Sequence, residues 1–356
     1  MKQRTLTYDR YVPEEEGLRE ALCTLGNGYF ATRGASPDCR ADDVHYPGTY
    51  LAGGYNRLRT KTNAGEVENE DLVNLPNWLP LTFRIDDGEW FRLDQVRLLA
   101  YRQELDLESG ILRREFRFRD VEGRTSRWTE RRLVSMGEPH VAGLAVEITA
   151  EDWSGRLTVR SELDAGVTNG GVRRYRELSS QHLETQALSH LGTDIIFVQA
   201  RTNQSHIHVA EAARTRLYRA GKELDCTRSV EIAENRITQD LQCEVASGDQ
   251  IAVEKIVAFH TSLDRPYSEP GLEAKRTLAF AGRFEEIATA HKGVWRRLWD
   301  ECDITLEETE ACDTELKLRL HIFHILQTVS IHSVDRDAGV PARGWHGEAY
   351  RGHIFW

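Results

Sequence analysis

The chain has 356 residues, 46 basic against 57 acidic side chains, a net charge of −11 and 40% hydrophobic residues. That length exceeds one ordinary hydrophobic core and predicts more than one domain. No apolar run approaches the ~18 residues of a membrane span, and the acidic balance opposes general affinity for nucleic acid.

The opening MKQRTLTYDRYVPEEEG lacks the basic-then-apolar layout of a secretory signal, so a cytoplasmic setting with free thiols is expected. Cys23, Cys39, Cys226, Cys243, Cys302 and Cys312 form no C-x-x-C pair, which leaves zinc and redox motifs unsignalled. TLGNGYFATRGA (residues 24–35) carries three glycines without the G-x-G-x-x-G spacing or the G-K-[ST] ending of nucleotide loops. A tight turn or hairpin is the expectation there. YPGTYLAGGYN (residues 46–56) sets three tyrosines in glycine-rich backbone, and its composition fits a structural turn and a ligand-facing aromatic loop equally.

From about residue 81 to 260 the pattern has period two. LTFRIDDGEWFRLDQVRLL, ILRREFRFRD, RTSRWTERRLVSM, VAGLAVEIT, GRLTVRSELDAGV, TDIIFVQAR, QSHIHVAEA and DQIAVEKIVAFHTSL set β-branched and aromatic residues between short turn signals. Asp-Gly and Glu-Gly at the tips of IDDGEW and RDVEGRT suit the positive φ of hairpins. So many successive strands predict a β-rich sandwich of two antiparallel sheets.

RPYSEPG (residues 265–271) marks a boundary. An amphipathic helical pattern follows, with Leu278, Phe284, Ile287, His291, Val294, Trp295 and Leu298 at three-to-four spacing. A second helix, DTELKLRLHIFHILQTVSIHS, has Asp313 as its expected N-cap and is apolar over most of its circumference, so burial between other helices is predicted. His321 and His324 stand three apart and His332 follows; without a matching carboxylate or cysteine set they read as packed histidines, and no metal is expected. The chain ends on GWHGEAYRGHIFW, in which rings, Arg, His, Glu and three glycines alternate. Rings cover the C–H faces of sugars and polar groups meet their hydroxyls, so this mixture suits a carbohydrate pocket; a packed core loop is the alternative.

EGLREALCTLGNGYFATRGA, YPGTYLAGGYN, DLVNLPNWLPLTFRI and GWHGEAYRGHIFW, in this order, resemble the signature segments of glycoside hydrolase family 65, the maltose, trehalose and kojibiose phosphorylases and their hydrolytic relatives. The resemblance implies a β-sandwich over residues 1–268, a helical linker over 269–312, and over 313–356 the first part of an (α/α)6 catalytic barrel. It also implies that the Y-R-G-H-x-F-W segment lines the subsite for the non-reducing glucose, followed at once by a sugar-binding Asp. Tyr350, Arg351, Gly352, His353, Phe355 and Trp356 match that segment.

The implied reaction is inverting cleavage of an α-glucoside disaccharide. A carboxylic acid protonates the leaving oxygen, and inorganic phosphate as co-substrate, or water in the hydrolases, attacks the anomeric carbon. No other cofactor is implied, and a homodimer is the family's common state. The general acid Glu is expected beyond Trp356, so no catalytic residue falls within 1–356 and this chain alone is expected to be inactive. Glu348 does not match the acid's place and reads as structural or hydrogen-bonding. Trp345 and His346, and Ala349 where the phosphorylases carry glycine, leave phosphorolysis, hydrolysis and the linkage open. A non-catalytic carbohydrate-binding sandwich with a helical tail is the competing reading; it requires residues 1–270 to bind sugar unaided.

Overall fold

The computed structural model describes residues 4–63, 65–170, 178–265, 269–306, 313–340 and 344–348. Within them, the period-two stretches become antiparallel strands in two main sheets. The larger runs Thr5–Tyr8, Arg97–Asp106, Ile111–Arg119, Thr125–Val134, Val141–Ala150, Gln250–Thr261, His208–Arg219, Ile195–Thr202 and Leu183–Leu191, with Lys222–Glu223 paired to His208–Arg219 off that path. The smaller runs Thr227–Ile232, Arg236–Val245, Gly155–Asp164 and Leu81–Ile85.

Alternation decides what lies between them. In Ile111–Arg119, Leu112, Arg114, Phe116 and Phe118 are buried while Arg113, Glu115 and Arg119 face solvent. Phe83 stacks on Trp128 at 5.9 Å between centroids, and Phe91 on Phe116 at 5.7 Å, so one aromatic cluster joins the two layers. A buried lysine crosses the same interface: Lys255 Nζ donates to Glu162 O at 2.7 Å and Pro80 O at 3.0 Å, and burial pulls its pKa down to about 7.

The two glycine-rich motifs build a third, small sheet of Leu25–Gly26, Phe30–Thr32 and Thr49–Leu51. It is held against the large sheet by cations on that sheet's inner face. Arg132 donates to Ala35 O at 2.8 Å and Arg114 to Gly34 O at 3.3 Å, with buried Glu130 beside both guanidinium groups. A separate hairpin, Tyr55–Thr62 and Gly65–Leu72, extends from the second motif.

Four helices complete the described residues: α1 (Pro13–Leu22), α2 (Pro270–Phe280), α3 (Phe284–Cys302) and α4 (Thr314–Leu326). Three expectations change. The positive φ of IDDGEW falls on Asp86 (+54°), whereas that of RDVEGRT does fall on Gly123 (+84°). The amphipathic stretch divides between α2 and α3, because Glu286 reaches back to accept the Arg283 N–H at 3.1 Å and starts a new helix. Asp313 occupies the N-cap position of α4 without a side-chain capping bond.

α3 lays Phe284, Ile287, His291, Trp295 and Trp299 on the sandwich, and Phe323 of α4 stacks on Trp295 at 4.7 Å. α4 is buried on one face only among the described residues, through Leu316, Arg319 and Phe323; Ile325 is exposed. Arg319 supports that face with a 2.9 Å bond to Asp303 and a second to Glu315. No helix among the described residues is long and apolar enough to cross a membrane.

Candidate functional site

The last turn of α4 and the segment after it run along the glycine-rich hairpin, fastened at almost every turn. His324 Nε2 meets Leu22 O at 3.1 Å, Gln327 Nε2 donates to Thr24 O at 3.2 Å, and Ser330 Oγ donates to Asn27 O at 2.6 Å. His332 Nε2 then meets Met136 O at 3.0 Å. Two of the three histidines singled out in the sequence are thus tied to main-chain carbonyls, and His321 is exposed. Burial lowers the His324 pKa to about 4, leaving a neutral ring suited to that contact.

Arg336 makes the next fastening. Its guanidinium lies 4.5 Å over the Tyr29 ring and donates to Asp264 Oδ1, while the Tyr29 hydroxyl donates to Asp264 Oδ2 at 2.8 Å. Burial would raise the Asp264 pKa, but hydrogen bonds from His260, Arg336 and the Thr261 N–H outweigh it and hold the carboxyl well below the usual range.

The described part of the terminal motif lands on the other three signature segments. Trp345 is buried among Ala31, Tyr50, Ala52, Tyr55 and Leu72. His346 O accepts from Arg33 Nη1 at 2.5 Å, and the buried Glu348 accepts from the Tyr46 hydroxyl. Arg33 also donates to Tyr46 O at 2.7 Å and Gly17 O at 3.0 Å, and lies 3.4 Å from Glu20 Oε2. Glu20 closes the ring by accepting the Tyr46 N–H at 2.9 Å and pairing with His45 Nδ1 at 2.9 Å. Burial alone would lower the His45 pKa; the bond and charge of Glu20 reverse that and raise it. Asn74 and Trp78, from DLVNLPNWLPLTFRI, brace the assembly: Asn74 Oδ1 accepts the Thr49 N–H at 3.1 Å, and Trp78 Nε1 donates to Thr32 Oγ1 at 2.9 Å.

Tyr350, Arg351, Gly352, His353, Phe355 and Trp356 lie outside the described residues. Of those the structure does bring together, Tyr46 belongs to the tyrosine-rich motif noted in the sequence, whereas Glu20, Arg33 and Asn74 were given no role there. Their signal was present only as single charged and amide side chains within the family-like segments EGLREALCTLGNGYFATRGA and DLVNLPNWLPLTFRI. Among the described residues, two groupings place ligand-type atoms within 4.8 Å of one another, Glu20 with Cys39 and His45, and His140 with His260 and Asp264. In each the carboxylate already faces an arginine, Arg33 or Arg336, which supplies the positive charge a cation would bring.

Residues 6–298 match the N-terminal domain of glycosyl hydrolase family 65, and residues 319–356 match that family's central catalytic domain. The chain belongs to glycosyl hydrolase family 65. It is 47% identical over 354 residues to an uncharacterized glycosyl hydrolase of Mycobacterium tuberculosis strain H37Rv, covering 99% of this chain and 26% of that protein. It is 30% identical over 353 residues to a trehalose 6-phosphate phosphorylase of Lactococcus lactis, covering 98% and 43%. Against a kojibiose phosphorylase of Halothermothrix orenii it is 27% identical over 346 residues, covering 95% and 42%. This family 65 chain thus spans between a quarter and a little under half of those relatives' lengths. Among solved structures, a candidate kojibiose phosphorylase from the human microbiome superposes with a TM-score of 0.80 at 17% identity, over 98% of this chain and 44% of that one. That likeness is one of fold, and it extends through the helical part, consistent with the start of a family 65 barrel.

Proposed function

We propose that this chain is the N-terminal, sugar-facing part of an enzyme that cleaves an α-linked glucose disaccharide by inverting phosphorolysis, releasing β-glucose 1-phosphate and an acceptor sugar. The supporting observation is the seating of Trp345, His346 and Glu348 on the two glycine-rich motifs. A sandwich whose signature loops hold the residues leading into a sugar-recognition segment serves the catalytic domain and does not act as a separate binding module. Tyr350, Arg351, Gly352, His353, Phe355 and Trp356 are assigned to the glucose subsite, the rings against C–H faces and Arg351 and His353 to hydroxyls.

Phosphorolysis is favoured because the named relatives that have an assigned reaction are phosphorylases. It needs one protein carboxylate, since phosphate is its own nucleophile, whereas inverting hydrolysis needs a second to activate water. By resemblance that acid lies beyond Trp356, and the 356 residues alone are expected to give no turnover.

The test is an assay of the full gene product on kojibiose, trehalose and trehalose 6-phosphate, with and without phosphate. Phosphate-dependent β-glucose 1-phosphate is the expected product. Phosphate-independent release of glucose would establish a hydrolase instead, and absence of cleavage of any α-glucoside would overturn the enzymatic reading.

A further inference from the structure

We propose that Tyr46, on the sandwich, is a positioning residue for the sugar site and acts through Glu348; this rests on the reading of residues 350–356 given above. A carboxylate as buried as Glu348, 6% exposed, needs a donor, and the Tyr46 hydroxyl supplies one. That hydroxyl is itself fixed from the loop after Gly155–Asp164: it accepts the Gly170 N–H at 2.9 Å and lies 2.9 Å from Thr168 O. It has one proton to give, and an ionised carboxylate is a stronger acceptor than a peptide carbonyl.

The backbone of Tyr46 is held just as firmly. Its carbonyl takes Arg33 Nε and its N–H goes to Glu20. Arg33 in turn grips His346 O, so one hydrogen-bonded unit of buried Glu20 and Arg33 with half-buried Tyr46 holds two alternate residues of the terminal segment, with Trp345 anchored beside them. Glu348 stands two residues before Tyr350, within roughly 7 Å along an extended chain. Little slack separates the clamp from the residues assigned to the sugar, and a misplacement of about 1 Å in a reacting geometry costs on the order of 100-fold in rate. Glu348 does not occupy the general acid's place in the motif, so its contribution is placement and not proton transfer.

The experiment compares Tyr46→Phe, Glu348→Gln, Glu348→Ala and the Tyr46→Phe/Glu348→Ala pair in the full gene product. Tyr46→Phe should lower kcat/KM for the disaccharide at least tenfold while KM for phosphate moves less than twofold. Glu348→Gln, which keeps an acceptor oxygen for the hydroxyl, should retain more activity than Glu348→Ala. The double variant should be no worse than its worse single parent. A Tyr46→Phe enzyme within twofold of wild type, or a double variant whose losses multiply, would overturn the proposal. Hydrogen exchange in the 356-residue chain gives a readout free of turnover: Tyr46→Phe should speed exchange of the 344–348 amides at least tenfold and leave the Val141–Ala150 and Gln250–Thr261 strands unchanged. Absence of turnover by the wild-type protein would overturn the functional reading instead, and unchanged exchange would overturn the clamp even then.

Discussion

At Gly28 two constraints meet in one residue. Its φ is +88°, where an L side chain is strained, and a Cβ built there would lie 2.1 Å from Ser330 Oγ. The first term alone costs about 1 kcal/mol, as it would at Gly123, which shares the positive φ but has nothing within 4 Å. The second is specific to Gly28, because Ser330 Oγ sits there to bond Asn27 O at 2.6 Å. Gly28→Ala should therefore destabilise by about 2–4 kcal/mol and Gly123→Ala by about 1 kcal/mol. In a Ser330→Gly background the Gly28→Ala cost should shrink towards the strain term. Urea unfolding of the four variants measures this, and equal costs at both glycines would show that Ser330 is not what excludes the Cβ. A tight turn at TLGNGYFATRGA was legible in the sequence from its glycines; the reason for this glycine was not, since Ser330 lies 302 residues further on. The same holds for Arg33 and Glu348, whose partners are set by tertiary approach and leave no local spacing to read.

At the scale of elements, helical periodicity identified the face of α3 well. Phe284, Ile287, His291 and Trp295 are buried as the three-to-four spacing demands, with Val294 and Leu298 packed at the margin and Trp299 added to the buried set. The break between α2 and α3 was missed because the apolar spacing runs on across it, while the Glu286 bond that restarts the helix is polar. α4 presents the opposite case: its apolar circumference predicts burial, yet Ile325, Ile331 and Val334 are 52%, 81% and 78% exposed in α4 and the turns after it. Together with exposed Val329, these side chains form apolar surface that water disfavours. The 356-residue chain should self-associate through it. Sedimentation at rising concentration should show a dimer or larger species for the wild type and a predominantly monomeric Ile325→Glu/Ile331→Glu/Val334→Glu variant. Tm should change little, because none of the three supports the core. A triple variant that associates as strongly as the parent would move the contact elsewhere.

Over the whole molecule, the two-sheet architecture was legible because alternation survives even where charged residues face inward, as Arg114, Glu130 and Arg132 do. Strand order was not, since Val141–Ala150 pairs with Gln250–Thr261 about a hundred residues away and the two share no local signal. A consequence of enclosing so many polar groups is a dependence of stability on pH. His291 is 1% exposed, takes the Met136 N–H on Nδ1 at 3.0 Å and meets Gly110 O through Nε2 at 3.2 Å, an arrangement that requires the neutral ring. Burial lowers its pKa to about 4, and does the same to His182, also 1% exposed. In the unfolded chain each would titrate near 6.5. Between those values the unfolded chain binds protons that the folded one refuses. The stabilisation is therefore complete above about pH 6.5 and is lost as the pH falls towards 4, on the order of 2–3 kcal/mol for each ring. Asp264, held low by its hydrogen bonds, loses its own contribution on further acidification and adds to the same trend. His291→Gln should lower stability at pH 7 by breaking one of the two bonds. It should also flatten the dependence, reducing the slope of unfolding free energy near pH 5 by about 1.4 kcal/mol per pH unit, the amount set by one proton. Denaturant titrations from pH 4.5 to 7.5 give that slope directly; if it is the same in the variant as in the wild type, the neutral buried state of His291 is not a source of the acid sensitivity.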